Sequence, residues 1–113
     1  MNNMSPQWRE PIEWTRPQPL KIAQIAPLIE SVPPRLYGGT ERIVSYLTEE
    51  LVAQGHEVTL FASGGSATSA RLVCCCDLPL RQKGGVDPTP SNLLMVDRAR
   101  RMASQFDILH FHI

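Results

Sequence analysis

No run of apolar residues in this 113-residue sequence approaches the roughly 20 needed to cross a bilayer, and the N-terminus lacks the apolar centre of a secretion signal. A soluble chain is expected. There is no excess of either charge, since eleven basic and eleven acidic residues cancel. No broad field therefore draws the chain toward nucleic acid or an anionic membrane, and any anion site has to be local. Cysteine is confined to Cys74, Cys75 and Cys76. Adjacent side chains on a strand point to opposite faces, which is poor geometry for a disulfide or a chelating cluster. An odd count without a spacing pattern predicts a reducing, cytoplasmic setting.

Other absences narrow the chemistry. The sequence has neither the three-glycine fingerprint of a dinucleotide site nor the Gly-Lys-Ser/Thr ending of a P-loop. No serine sits in a nucleophile-elbow context, and no carboxylate pair has a spacing that demands acid/base use. The length suits one domain that buries roughly two thirds of its unfolded surface, and is too short for a two-domain enzyme.

What is present reads as alternating strands and helices. Residues 1–19 hold Pro6, Pro11, Pro17 and Pro19 among polar residues, so they form an extended leader in which Trp8 and Trp14 are the large apolar groups. These tryptophans either dock on the domain surface or belong to a free tail. The run Lys21 to Leu28 predicts a buried first strand that stops near Pro27, where the backbone donor is missing. Glu30 to Gly39 reads as a structured loop. A helix is expected over 40–54, with Ile43, Val44, Leu47, Leu51 and Val52 on its buried face, Thr40 as its N-cap and Gly55 closing its end. Glu41, Arg42, Glu49 and Glu50 fall mostly on its other side.

Val58 to Ala62 is a second strand, parallel to the first because one helix connects them. Arg71 to Cys76 is a third. The Pro- and Gly-rich stretch 78–92 predicts a mobile excursion. Helical spacing returns over 93–105 through Val96, Ala99, Met102 and Ala103, with Arg98, Arg100 and Arg101 as its wet side. Phe106 to Ile113 has the apolar density of a central parallel strand. The expected architecture is a three-layer, Rossmann-like α/β sheet over residues 20–113, the incomplete N-terminal domain of a larger plan, because a central strand is a poor place for a domain to end.

Two constellations could carry function. Gly38 and Gly39 lie between the first strand and its helix, where glycine lets the backbone approach a ligand and free amides of the helix start attract phosphate or other oxygen-rich groups. Open α/β sheets bind ligands outside the carboxyl ends of their strands. The plainer reading is that these glycines only permit a turn. His110 and His112 are two apart on a strand and share one face. His110 is read as a packed histidine bonded to a neighbouring loop, and His112, nearer the carboxyl edge, as the better functional candidate. His56 belongs to the opposite edge, so the three histidines do not make a metal site. The reading contains no metal and no cofactor.

The series Lys21-Ile-Ala-Gln-Ile-Ala-Pro27, Pro34, Gly38-Gly39-Thr40-Glu41-Arg42, Leu47-Thr-Glu-Glu-Leu51, Gly55-His56-Glu57-Val58-Thr59-Leu60-Phe61-Ala62-Ser63-Gly64 and Phe106-Asp107-Ile108-Leu109-His110-Phe111-His112 closely resembles the start of the retaining, nucleotide-sugar-dependent glycosyltransferases of family 4. The resemblance covers about residues 20–113. It implies the two-Rossmann-domain GT-B architecture. It further implies that Gly38 and Gly39 line a cleft near the diphosphate and sugar of the donor, with Thr40 and Glu41 starting the helix behind them. His112 would contact the transferred sugar and His110 would support it.

In such enzymes most nucleotide contacts belong to a C-terminal domain, so this chain by itself is expected to lack useful transferase activity. The donor and an unidentified acceptor would be engaged together with that domain. Two other readings share the fold: a non-catalytic binding or interaction module, and a fragment akin to nucleotide-sugar epimerases. An exposed edge or face of the last strand is expected to invite self-association.

Overall fold

The structure, a computed structural model, describes residues 18–113. The expectations for Trp8, Trp14 and the rest of residues 1–17 lie outside it. In chain order the elements are β1 (Lys21–Ile25), α1 (Gly39–Ala53), β2 (Glu57–Ser63), β3 (Arg71–Cys76), α2 (Thr89–Arg101) and β4 (Ile108–Phe111). The strands form one parallel four-stranded sheet in the order β3-β2-β1-β4. Parallel pairing is what a helical connection between the first two strands predicted.

Strand alternation sorts the core into two layers. Ala23, Ile25, Phe61 and Val73 face α2 and pack with Leu28, Leu80, Met95 and Ala99. Ala26, Leu60 and Ala62 belong to the other face, where they pack with Val32 and with Val44 of α1. One helix thus covers each face, giving the three layers expected. Phe61, fully buried, meets the edge of the Phe106 ring at 6.1 Å between centroids. Each buried side chain of that size contributes roughly 1.5–3 kcal/mol.

Helix α1 departs from its expected rotation and start. It begins at Gly39, and Gly38 rather than Thr40 occupies the N-cap position. Its buried stripe is Glu41, Val44, Ser45 and Thr48, while Ile43 is exposed and Leu47, Leu51 and Val52 are half-buried. The physical reason is a pair of carboxylate ties. Glu41 Oε2 accepts the Glu30 amide at 3.2 Å, and Glu49 Oε1 accepts the Thr68 hydroxyl at 3.1 Å and the Ser69 amide at 2.9 Å. These polar contacts turn the helix so that its apolar stripe lies off-centre. At the other end, the amides of Gly55 and His56 reach back to the carbonyls of Val52 and Leu51, the Schellman closure expected at Gly55.

The stretch 78–92 is more ordered than its composition suggested. A short 3₁₀ turn spans Leu80–Lys83, and Leu80 is buried under β1 with its amide bonded to the Leu28 carbonyl at 2.9 Å. Helix α2 starts at Thr89, because Pro90 fits a first helical turn, where no backbone donor is needed. Arg98, Arg100 and Arg101 are exposed as expected, the last two bracketing Asp97 at 2.9 and 2.8 Å. Strand β4 is not central among the described residues. It pairs only with β1 and stands at the sheet edge, with Ile108, His110 and Phe111 exposed.

Candidate functional site

All four strands point the same way, so every loop that follows a strand gathers at one edge. Three of these loops are stitched together. The amides of Leu80 and Arg81 bond to the carbonyls of Leu28 and Ile29, joining the loop after β3 to the loop after β1. Ser66 Oγ accepts the Val32 amide at 2.9 Å, the Ala67 amide donates to the Val32 carbonyl at 2.8 Å, and Ser63 Oγ donates to the Glu30 carbonyl at 3.2 Å. The Arg81 guanidinium pairs with the Glu30 carboxylate. Together these bonds fix the approach to α1.

Gly38 and Gly39 have different tasks. Gly38 has φ 129°, and a Cβ there would lie 3.0 Å from Pro34 Cβ, 3.1 Å from Glu30 Cγ and 3.2 Å from Glu41 Oε1. Only glycine fits that turn without strain. A Cβ on Gly39 would meet nothing within 4 Å, so the start of α1 faces open space. The helix has no side-chain cap, and its first internal bond runs from the Arg42 amide to the Gly38 carbonyl at 3.0 Å. The amides of Gly39, Thr40 and Glu41 are therefore left facing out of the helix end, carrying the positive end of its dipole.

His112 arrives at the same edge. Its amide bonds to the Ile25 carbonyl at 3.0 Å, which sets the residue abreast of the end of β1. His112 Nε2 lies 2.8 Å from Gln24 Oε1, and the His110 and His112 rings lie against each other at a 42° tilt with centroids 4.1 Å apart. The Gln24 side-chain amide thus holds one ring nitrogen of His112 and leaves Nδ1 for another partner. Burial, and after it the charge of His110, hold the His112 pKa below the usual histidine value. The ring is thus neutral near pH 7, able to accept a hydrogen bond from a hydroxyl. His110, expected to be packed, is instead exposed and its ring leans against that of His112, since β4 pairs with β1 alone among the described residues.

Four further residues shape the edge without having been singled out beforehand: Gln24, Ser63, Ser66 and Arg81. Gln24 carried a signal, as the one polar side chain in the apolar run 22–26. It is fully buried, with Nε2 lacking a partner. The serines and Arg81 lie in small-residue and Gly/Pro-rich stretches, where sequence gives no hint of long-range partners.

His56 Nδ1 accepts the Leu20 amide at 3.0 Å at the opposite, amino edge. The three thiols are free, and burial pushes the Cys75 thiol up to about 11, which removes nucleophilic character. Among the described residues, no group of three or more His, Cys, Asp or Glu is placed to hold a metal, and no helix is long and apolar enough to cross a membrane.

The family model for Glycosyltransferase Family 4 matches residues 37–113, which takes in the Gly38–Gly39 turn, α1 and β4 with its histidines. The chain belongs to glycosyltransferase family 4. No curated protein matches it. For this family 4 chain, the Rossmann-like sheet is that of a GT-B-type, nucleotide-sugar-dependent glycosyltransferase. The match begins one residue before the Gly-Gly turn.

Proposed function

We propose that the carboxyl edge of the sheet binds the nucleotide-sugar donor of a retaining transfer. The outward amides at Gly39 and Thr40 receive oxygens of the diphosphate or sugar, with Gly38 setting the turn. His112 accepts a hydrogen bond from a hydroxyl of the transferred sugar, and His110 backs its ring. The observation that carries this reading is the uncapped start of α1, open at Gly39, at the same end of the sheet as a neutral, half-buried histidine. Oxygen-rich anions are favoured at such a helix start by the aligned amides and the dipole. The free thiols fit a cytoplasmic enzyme.

The same edge supports binding more than chemistry. Retaining transfer builds positive character on the anomeric carbon and negative charge on the leaving phosphate, each needing prearranged partners. Glu30 is engaged by Arg81, and Glu41 is buried against the Glu30 amide, so neither is free for acid/base work. That favours a donor-binding wall which acts with a second domain, or a non-catalytic binding module, over an epimerase-like fragment.

Isothermal titration of the chain with UDP, ADP, GDP and their hexose conjugates tests the reading, with Gly39→Trp and His112→Ala as controls. A Cβ at Gly39 meets nothing within 4 Å, so the added side chain starts in open space. Saturable binding weakened by both substitutions is expected. Binding indifferent to both would contradict the assignment.

A further inference from the structure

Gln24 stands where an apolar residue would serve the fold better. It interrupts the apolar run of β1 and is fully buried, so its carboxamide loses its hydration. Half of that amide recovers nothing, because Nε2 has no hydrogen-bond partner. On the β2 side its register partner is Leu60, apolar and fully buried. A methionine would fill the same place without stranding a donor. Departures of this kind from what a core favours are expected where a side chain serves a site.

The other half of the amide meets His112. Register sets Gln24 opposite His110, and its side chain reaches one pleat farther along β4 to the next ring on that face, with Oε1 2.8 Å from His112 Nε2. The His112 amide is bonded to the carbonyl of Ile25, the next residue of β1, at 3.0 Å. Two neighbouring residues of β1 therefore hold His112, one by its backbone and one by its ring. A ring nitrogen facing a carboxamide takes its proton state from that partner: opposite the oxygen it donates, opposite the NH2 group it accepts. We propose that Gln24 is a positioning residue, which fixes the plane and the tautomer of the His112 ring and, through them, the hydrogen bond that Nδ1 offers to a ligand. The setting with Oε1 toward the ring goes with a proton on Nε2 and an accepting Nδ1. What Nδ1 meets rests on the proposed donor site, whereas the hold of Gln24 on the ring does not depend on it.

Long-range proton–nitrogen NMR of the imidazole nitrogens in the ligand-free chain, at about pH 8 where the ring is neutral, tests the proposal. The parent chain should show a single tautomer at His112. Gln24→Met, close to glutamine in length but without its amide, should give the averaged signals of two interconverting tautomers while resisting urea at least as well as the parent. Gln24→Asn keeps an amide that falls one methylene short of the ring, and should release the tautomer in the same way. Both variants should bind the hexose conjugates of UDP, ADP or GDP about tenfold more weakly in titration calorimetry, the effect of one mis-aimed hydrogen bond. A residue that only filled the core would leave the ring signals unmoved. Three results would overturn the proposal: averaged signals already in the parent, a single tautomer that both variants keep, or a released ring with unchanged affinity for the conjugates. A parent chain that binds none of the conjugates, with the ring responding as expected, would strike the donor site and leave the hold of Gln24 on His112 standing.

Discussion

The two edges of this one sheet differ in how their loops are held. At the carboxyl edge, side chains reach across from loop to loop: Ser63 and Ser66 to the Glu30–Val32 segment, Arg81 to Glu30, Glu41 to the Glu30 amide. At the amino edge the chain enters its strands directly, with Asp107 Oδ2 accepting the Lys21 amide at 2.8 Å and His56 the Leu20 amide at 3.0 Å. A cavity of about 370 Å³ nevertheless opens at the amino edge, lined by residues that include Lys21, Glu57, Arg71 and Phe106. The difference teaches that hollow volume and a built site are separate things here. Strand direction decides which edge receives the helix dipole and the convergent polar groups, and this hollow lies at the other edge.

The sharpest way to break the stitched edge is Gly64→Ala. A Cβ there would land on the Asp77 carbonyl, beside the Gly64 amide bond to the Cys76 carbonyl at 2.7 Å. Backbone cannot yield as a flexible side chain would, so a loss of about 4 kcal/mol or more is expected in urea unfolding. Gly38→Ala should cost less, about 1–3 kcal/mol, from its positive φ and the contact with Pro34. Gly39→Ala should leave stability within about 0.5 kcal/mol, because nothing borders the added methyl. Equal effects at Gly38 and Gly39 would erase the division of labour between them.

Much of this was legible in the sequence. The parallel βαβ unit, the Schellman end at Gly55 and the placement of Gly38–Gly39 and His112 at one edge of the sheet followed from spacing and residue type. The rotation of α1 did not, because Ile43 and Leu47 outweigh Ser45 and Thr48 on any hydropathy count, whereas the ties of Glu41 and Glu49 depend on loops distant in sequence. Apolar density says that a strand can be buried on its faces, but neighbours are assigned by strand order, and among the described residues β4 has β1 alone. Gln24 was visible as a polar break in β1, yet its partner is 88 residues away.

A smaller effect separates the edges by pH. The folded chain holds the His112 pKa below the unfolded value of about 6.5, so the unfolded chain takes up that proton more readily. His112 then contributes its full share of stability above about pH 6.5, and that share declines as pH falls below it. Urea unfolding at a series of pH values should show this acid slope, and His112→Asn, which does not titrate, should flatten it. At the amino edge the smallest effect is expected: replacing both Lys21 and Arg71 by Ser should leave nucleotide-sugar affinity unchanged in titration calorimetry.

The central claim is that donor chemistry belongs to the carboxyl edge, and amide NMR of the labelled chain during titration with a nucleotide-sugar tests it most directly. The account predicts shifts concentrated at Gly39, Thr40, Glu41 and His112. Shifts concentrated instead at Lys21, Glu57, Arg71 and Phe106, around the amino-edge cavity, would contradict it.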